Sequence, residues 1–148
     1  MQPDQIRQML PAMVPFIQTV GLTIDEVGAG TATASLKSAP KVHNHMATVH
    51  AGALYTLGES ATGAVVLGLF GDLLPKLFIA LKSATVAHSK ARSGDLVAHA
   101  RLDGAPAALR AGYEATGKAD FSVDVAFSVD GTEVATVRYT WAVRAPRE

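Results

Sequence analysis

A chain of 148 residues has the length of one domain, which at this size buries about two thirds of its unfolded surface. Its 13 lysines and arginines balance its 13 aspartates and glutamates with no polybasic block, which argues against nucleic acid or an anionic membrane as a partner. The chain has no cysteine, and that excludes disulfides, thiolate metal sites and a cysteine nucleophile.

Near the N-terminus only Asp4 and Arg7 carry charge, and no basic start precedes a cleavable apolar core. No secretory signal is therefore expected, and the expected location is cytoplasmic. Ile6, Met9, Leu10, Met13, Val14 and Ile17 recur at helical spacing behind Pro3, so residues 1–20 read as a helical lid or brace. Pro11 and Pro15 are expected to break it into short helices. From Leu22 to Lys37 the pattern turns to strand: Ala32, Ala34 and Leu36 alternate with Thr31, Thr33 and Ser35, and Gly28-Ala29-Gly30 supplies the turn of a hairpin.

Ala51 to Phe70 lacks strand character, and its Ala, Gly, Leu and Val residues lie nearly all round the helical wheel, so this helix must be buried. Its longest uncharged apolar run, Ser60 to Phe70, is too short to span a bilayer. Gly52, Gly58, Gly63 and Gly68 each cost about 1 kcal/mol relative to alanine, which the close approach of a sheet curled around the helix would offset. Gly71 and Pro75 end the helix. Two strands are expected between Leu77 and Asp103, broken at Ala91-Arg92-Ser93-Gly94-Asp95. Tyr113, Ala115, Ala119, Phe121, Val123, Val125 and Phe127 share one parity against Glu114, Thr116, Lys118, Asp120, Ser122 and Asp124, the pattern of one long strand wet on one face. Asp130-Gly131 turns it back into a last antiparallel strand carrying Ala135, Val137, Tyr139, Trp141 and Val143. The fold class is α+β: a curved antiparallel sheet wrapped around one central buried helix, with short N-terminal helices, as a single domain over residues 1–148.

The chemistry concentrates in VHNHMATVHAGALYTLGESATG, Val42 to Gly63. Asn44, then His50 six residues on, then Ala51-Gly52 opening the buried helix, then Glu59 nine residues after the histidine, resembles the hotdog-fold acyl-CoA thioesterases of the phenylacetyl-CoA and 4-hydroxybenzoyl-CoA type. The order of elements matches along nearly the whole chain to Val143. The family pattern is Asn, a short loop, His-Gly-Gly, and Asp or Glu within the helix. This chain instead reads His-Ala-Gly, has Gly63 where some relatives carry a water-holding threonine, and over HAGALYTLGESATG is closer to a less characterised branch of the superfamily. The resemblance implies the hotdog fold, a homodimer or a dimer of dimers (homotetramer), and composite sites in which the carboxylate of one subunit faces the helix start and asparagine of the other. It implies no metal or organic cofactor, with coenzyme A present only as part of the substrate.

Elementary chemistry supports these roles. The first-turn amides of a helix are unpaired donors at its positive end, so those of Ala51 and Gly52 are suited to hold an oxyanion. Glu59, the only carboxylate in the helix, is expensive among Ala, Leu and Val, and burial should raise its pKa toward that of a useful base. Nine residues of helix rise about 13 Å and end half a turn out of phase, so Glu59 cannot reach the amides of its own helix start. Glu59 would then activate water or attack the thioester directly. Asn44 would orient the water or the carboxylate, and His50 would brace the loop or polarise the thioester.

Structural alternatives stand beside each role: Glu59 as a carboxylate capping a loop or bonding across a dimer, His50 as a loop histidine, Asn44 as a turn cap. His43, His45 and His50 suggest zinc only weakly, and no metal is expected; His88 and His99 read as partly exposed side chains. Ser60 and Thr62 lack the elbow and the His-Asp pair of a serine hydrolase. Lys82, Lys90 and Arg92 are candidates for the coenzyme A phosphates or ordinary solvated cations. Leu54 and Tyr55 are candidate walls of the acyl pocket. The leading expectation is hydrolysis of an acyl-CoA or related thioester. Its rivals are a catalytically silent hotdog module that binds an acyl or aryl ligand, and a hydratase or dehydratase, whose spacing the chain does not match.

Overall fold

In the computed structural model, which describes residues 1–146, two helices open the chain, α1 (Pro3–Met13) and α2 (Pro15–Val20). Pro11 does not break α1, contrary to expectation. It lies in the last turn, where a missing N–H removes a single helical bond, and the break falls at Val14, with Pro15 opening α2 at its first position. Ile6, Leu10, Ile17 and Val20 bury the inner face of the pair. The hairpin follows as β1 (Thr23–Gly28) and β2 (Thr31–Leu36), then α3 (Ala51–Phe70), β3 (Phe78–His88) and β4 (Leu96–Leu102).

The long strand predicted from Tyr113 to Phe127 is corrected by the structure. Its first part is a helix, α4 (Pro106–Thr116), and β5 begins only at Lys118 (Lys118–Val129). Pro106 opens α4 at its first turn and Gly117 ends it at φ 69, a proline-to-glycine bracket around good helix formers that outweighs the accidental parity of Tyr113 and Ala115 with β5. Tyr113 packs edge-on against Phe70 at 5.4 Å. Arg110 donates to the Leu69 carbonyl at 2.9 Å and to both Asp72 oxygens at 2.8 Å, so α4 clasps the C-terminal end of α3. Asp130 and Gly131, both at positive φ, turn β5 into β6 (Thr132–Arg144), as Asp-Gly demands in a two-residue hairpin.

The six strands form one antiparallel sheet in the order β1-β2-β4-β5-β6-β3, curled around α3 in the hotdog arrangement. Leu57, Ala61, Ala64, Val65 and Phe70 of α3 are fully buried, against Ala34, Ala98, Val123, Phe127 and Tyr139 of the sheet. By length and composition Ala51–Leu73 is apolar enough to cross a membrane, but 72% of its apolar window is buried inside the fold, so it is a core helix. Taking the run from Ser60 missed this length, because Glu59 is its only interruption before the cap at His50.

Close packing against the sheet accounts for Gly58 but not for Gly63. A Cβ on Gly58 would collide with the Tyr139 hydroxyl and stand 2.6 Å from Phe127 Cζ, whereas among the described residues nothing lies within 4 Å of one on Gly63. Alanine at these two positions should therefore act with opposite signs. Gly63→Ala is expected to gain about 1 kcal/mol of helix propensity, roughly 2–4 °C in Tm for a chain of this size, and Gly58→Ala to lose about 1–3 kcal/mol by overpacking. Thermal unfolding of the two variants beside the wild type checks both signs.

Candidate functional site

The loop before α3 is built around Asn44. Its side-chain oxygen accepts the amides of Met46 at 2.9 Å and Thr48 at 3.1 Å, its Nδ2 donates to Thr48 Oγ1 at 2.8 Å, and its backbone N–H donates to the Thr48 carbonyl at 2.9 Å. That is the turn-organising role weighed from the sequence, and it engages the side-chain oxygen within the loop. His43, bridged to Val49, lies 2.6 Å from Ser38 Oγ through its Nε2. Among the described residues no group of three or more His, Asp or Glu side chains converges to hold a metal ion.

His50 is the N-cap of α3, and its Nδ1 accepts the Gly52 amide at 2.8 Å. An accepting Nδ1 in a neutral imidazole leaves the proton on Nε2, so the exposed edge of His50 is a donor. The Gly52 amide is therefore not free for an oxyanion. The N–H groups of Ala51 and Ala53 have no hydrogen-bond partner among the described residues, and Ala51 is exposed. A cleft of about 400 Å³ opens at this helix start. Leu54, Leu96, Val129 and Val134 give it an apolar floor, and Asn44, Ala51, His88, Lys90 and Arg92 stand at its edge.

Of the candidate site residues, then, the cleft gathers Asn44, Ala51, Leu54, Lys90 and Arg92, with His50 and Gly52 at the cap beside it. Lys82 lies elsewhere: it sits at a bulge in β3, 3.5 Å from Asp120, a carboxylate shared with Arg144. His88, expected as a partly exposed side chain, is exposed and also edges this cleft. Ile79 and Leu81 pair with Val143 and Trp141, and after the bulge between Leu81 and Ser83 it is Ala84, Val86 and His88 that pair with the inward Tyr139, Val137 and Ala135. Simple alternation along β3 would have turned His88 outward.

Glu59 and Tyr55 are not in this cleft. Glu59 is half-buried, and burial pushes its carboxyl above the ordinary glutamate range, with no donor or cation among the described residues to bring it down. The Tyr55 phenol is pushed up by its burial and by the neighbouring Glu59 charge. Tyr55 leans on Tyr139 with ring centres 5.4 Å apart, and the Tyr139 hydroxyl donates to the Tyr55 carbonyl at 2.7 Å. Thr62 fixes the next turn, donating to the Glu59 carbonyl at 2.9 Å and accepting from Trp141 Nε1 at 3.1 Å. Ser60 Oγ donates to the Thr56 carbonyl at 2.7 Å, so both hydroxyls beside Glu59 are held by the helix backbone, an arrangement unlike that of a nucleophile awaiting a base.

Comparison with known proteins matches the family model described as a domain of unknown function, DUF4442, to residues 3–143. Similar solved structures include PA5026 of Pseudomonas aeruginosa, a protein of unknown function called a probable thioesterase, at 26% identity and TM-score 0.83 over 97% of this chain and 95% of that one. A protein of unknown function from Chlorobaculum tepidum has TM-score 0.84 at 16% identity, covering 97% and 94%. A point variant of the P. aeruginosa thioesterase PA1618 has TM-score 0.76 at 20% identity, covering 95% and 94%. No protein with curated annotation matches the sequence.

Proposed function

The chain belongs to the DUF4442 family, and from that premise, with the hotdog fold it shares with a probable thioesterase, we propose that it hydrolyses acyl-CoA or related thioesters at a site completed by two copies of the chain. The observation that carries this reading is Glu59, a half-buried carboxylate with a raised pKa and no partner among the described residues, in a helix otherwise free of charge. A structural carboxylate is normally neutralised or hydrogen-bonded; one left unpaired at a boundary is suited to take a proton from water. Eight residues of helix, about 12 Å, separate it from the Ala51 amide, so within one chain base and oxyanion donor do not meet.

The exposed edge of β3 supports a composite site formed by two copies. β3 is an edge strand of eleven residues with Phe78 63% and Val86 42% exposed, and its Leu81 pairs with Trp141, whose indole holds the turn after Glu59. A long apolar edge is an aggregation hazard unless something covers it, and a second copy joined edge to edge would do so beside Glu59. In this arrangement Glu59 of one subunit activates water, or attacks the thioester itself. The Ala51 amide of the other holds the developing oxyanion, with His50 Nε2–H as a neighbouring donor. Asn44 keeps the loop in shape, and Lys90 and Arg92 meet the coenzyme A phosphates.

Release of free thiol from short, medium, long and aryl acyl-CoAs tests the activity. Mixing Glu59→Gln with Ala51→Pro protomers tests the shared site: a mixed dimer regains one intact site, so activity reappears on mixing, and two self-contained sites would give none. Replacing Lys90 and Arg92 by alanine is expected to raise KM for coenzyme A thioesters, more steeply at low salt, and to spare pantetheine thioesters that lack the phosphates. The rival reading, a silent acyl-binding module, is favoured by the local engagement of Asn44 and the Gly52 amide. It predicts that acyl-CoA is recovered intact from the protein after hours.

A further inference from the structure

The face of α3 that bears Glu59 bears on which acyl group is accepted. From Leu54 to Leu67 every residue of α3 is buried except Tyr55, Glu59 and Gly63, which stand four apart in one row along the helix. Gly63 has ordinary helical backbone and, among the described residues, nothing within 4 Å of where a Cβ would stand, so neither conformation nor their packing requires a glycine there. The other glycines of the helix differ: Gly52 stands against His50, Gly58 against Tyr139 and Phe127, and Gly68 within contact distance of Val27. A mid-helix glycine that weakens the helix and meets nothing is accounted for if the space serves a molecule from outside.

We propose that Gly63 is a specificity-determining residue: a notch one turn from Glu59 that admits a compact acyl group, branched or cyclic beside the carbonyl, in preference to a long straight chain. The inference rests on the reading of Glu59 as the catalytic carboxylate. Width is favoured over length because the row is closed beyond Gly63, on the side away from the helix start. The next residue along it, Leu67, is 4% exposed and its neighbour Val66 1%, while at the other end the Tyr55 ring is held against Tyr139. A straight chain passing Glu59 has no continuation along the helix beyond Gly63, whereas a branched or ring-bearing group fills the space of the absent side chain. A partner side chain is the competing occupant, and the test separates the two.

Gly63→Ala and Gly63→Leu are compared with the wild type on acetyl-, isobutyryl-, cyclohexanecarbonyl- and palmitoyl-CoA, with sedimentation of each variant. The wild type is expected to favour the isobutyryl and cyclohexanecarbonyl thioesters over palmitoyl. The leucine variant is expected to lose about 10–200-fold in kcat/KM on those two and less on acetyl, with alanine between and the oligomer unchanged. Preference for palmitoyl in the wild type, an equal loss on all four substrates, or dissociation of the leucine variant overturns the proposal; dissociation would assign the notch to the partner. Calorimetric binding of non-hydrolysable thioether analogues to Glu59→Gln protein, with and without Gly63→Leu, keeps the two readings apart. Gly63-dependent binding without any hydrolysis sinks the hydrolase and spares the notch, and hydrolysis indifferent to Gly63 does the reverse.

Discussion

Replacement of Glu59 by glutamine is expected to lower kcat by about 10²–10⁴-fold, the contribution of a positioned general base, and at the same time to make the protein more stable at neutral pH. The two effects have one cause. Burial raises the Glu59 pKa above its ordinary 4.5, so the unfolded chain gives up this proton more readily than the folded one. Below the unfolded value the carboxyl is neutral in both states and costs nothing. As pH rises through the unfolded value and on through the folded one, the folded protein loses stability. Glutamine never ionises, so the variant is expected to melt above the wild type at neutral pH, with the gap closing below about pH 4. Wild-type activity should fall on the acid side with a midpoint above the usual glutamate range, and that limb should be absent from any residual activity of the variant. A variant that loses activity and is also less stable at pH 7 would mark Glu59 as a structural carboxylate instead.

Ala51→Pro is expected to cost about 10²–10³-fold in rate with little change in stability, the loss that accompanies one missing oxyanion donor. The substitution removes the N–H alone. Ala51 is the first residue of α3, where proline is preferred, and His50 before it, at φ −61 and ψ 141, already has the extended backbone that a following proline requires. Ala51→Ser keeps the amide and should keep the activity. Comparable rates for proline and serine, in proteins with the same melting temperature, would remove Ala51 from the oxyanion site.

Most of the architecture follows from local pattern. Period-two alternation gave the strands, Asp130-Gly131 the last hairpin, and an apolar segment without alternation the central helix. The one element misread, α4, carries its own signal in Pro106 and Gly117, which was masked because Tyr113 and Ala115 happen to share the parity of β5. The candidate residues from Asn44 to Glu59 were also legible, since a carboxylate in an apolar helix and small residues at its start are facts of the sequence.

What only the tertiary structure decided is how those residues are engaged. His50 takes the Gly52 amide and leaves that of Ala51 free, Asn44 turns its oxygen into its own loop, and Lys82 pairs with Asp120 while Lys90 and Arg92 edge the cleft. His88 enters the same cleft through a bulge that shifts β3 by one residue. Gly58 and Gly63, alike in sequence, part company only when the sheet closes over one and leaves the other open. The physical reason is common to all of these. Alternation and helical period are set by neighbours a few residues away and can be read along the chain, whereas the partner of a polar group and the room beside a glycine are set by residues brought together from distant parts of it.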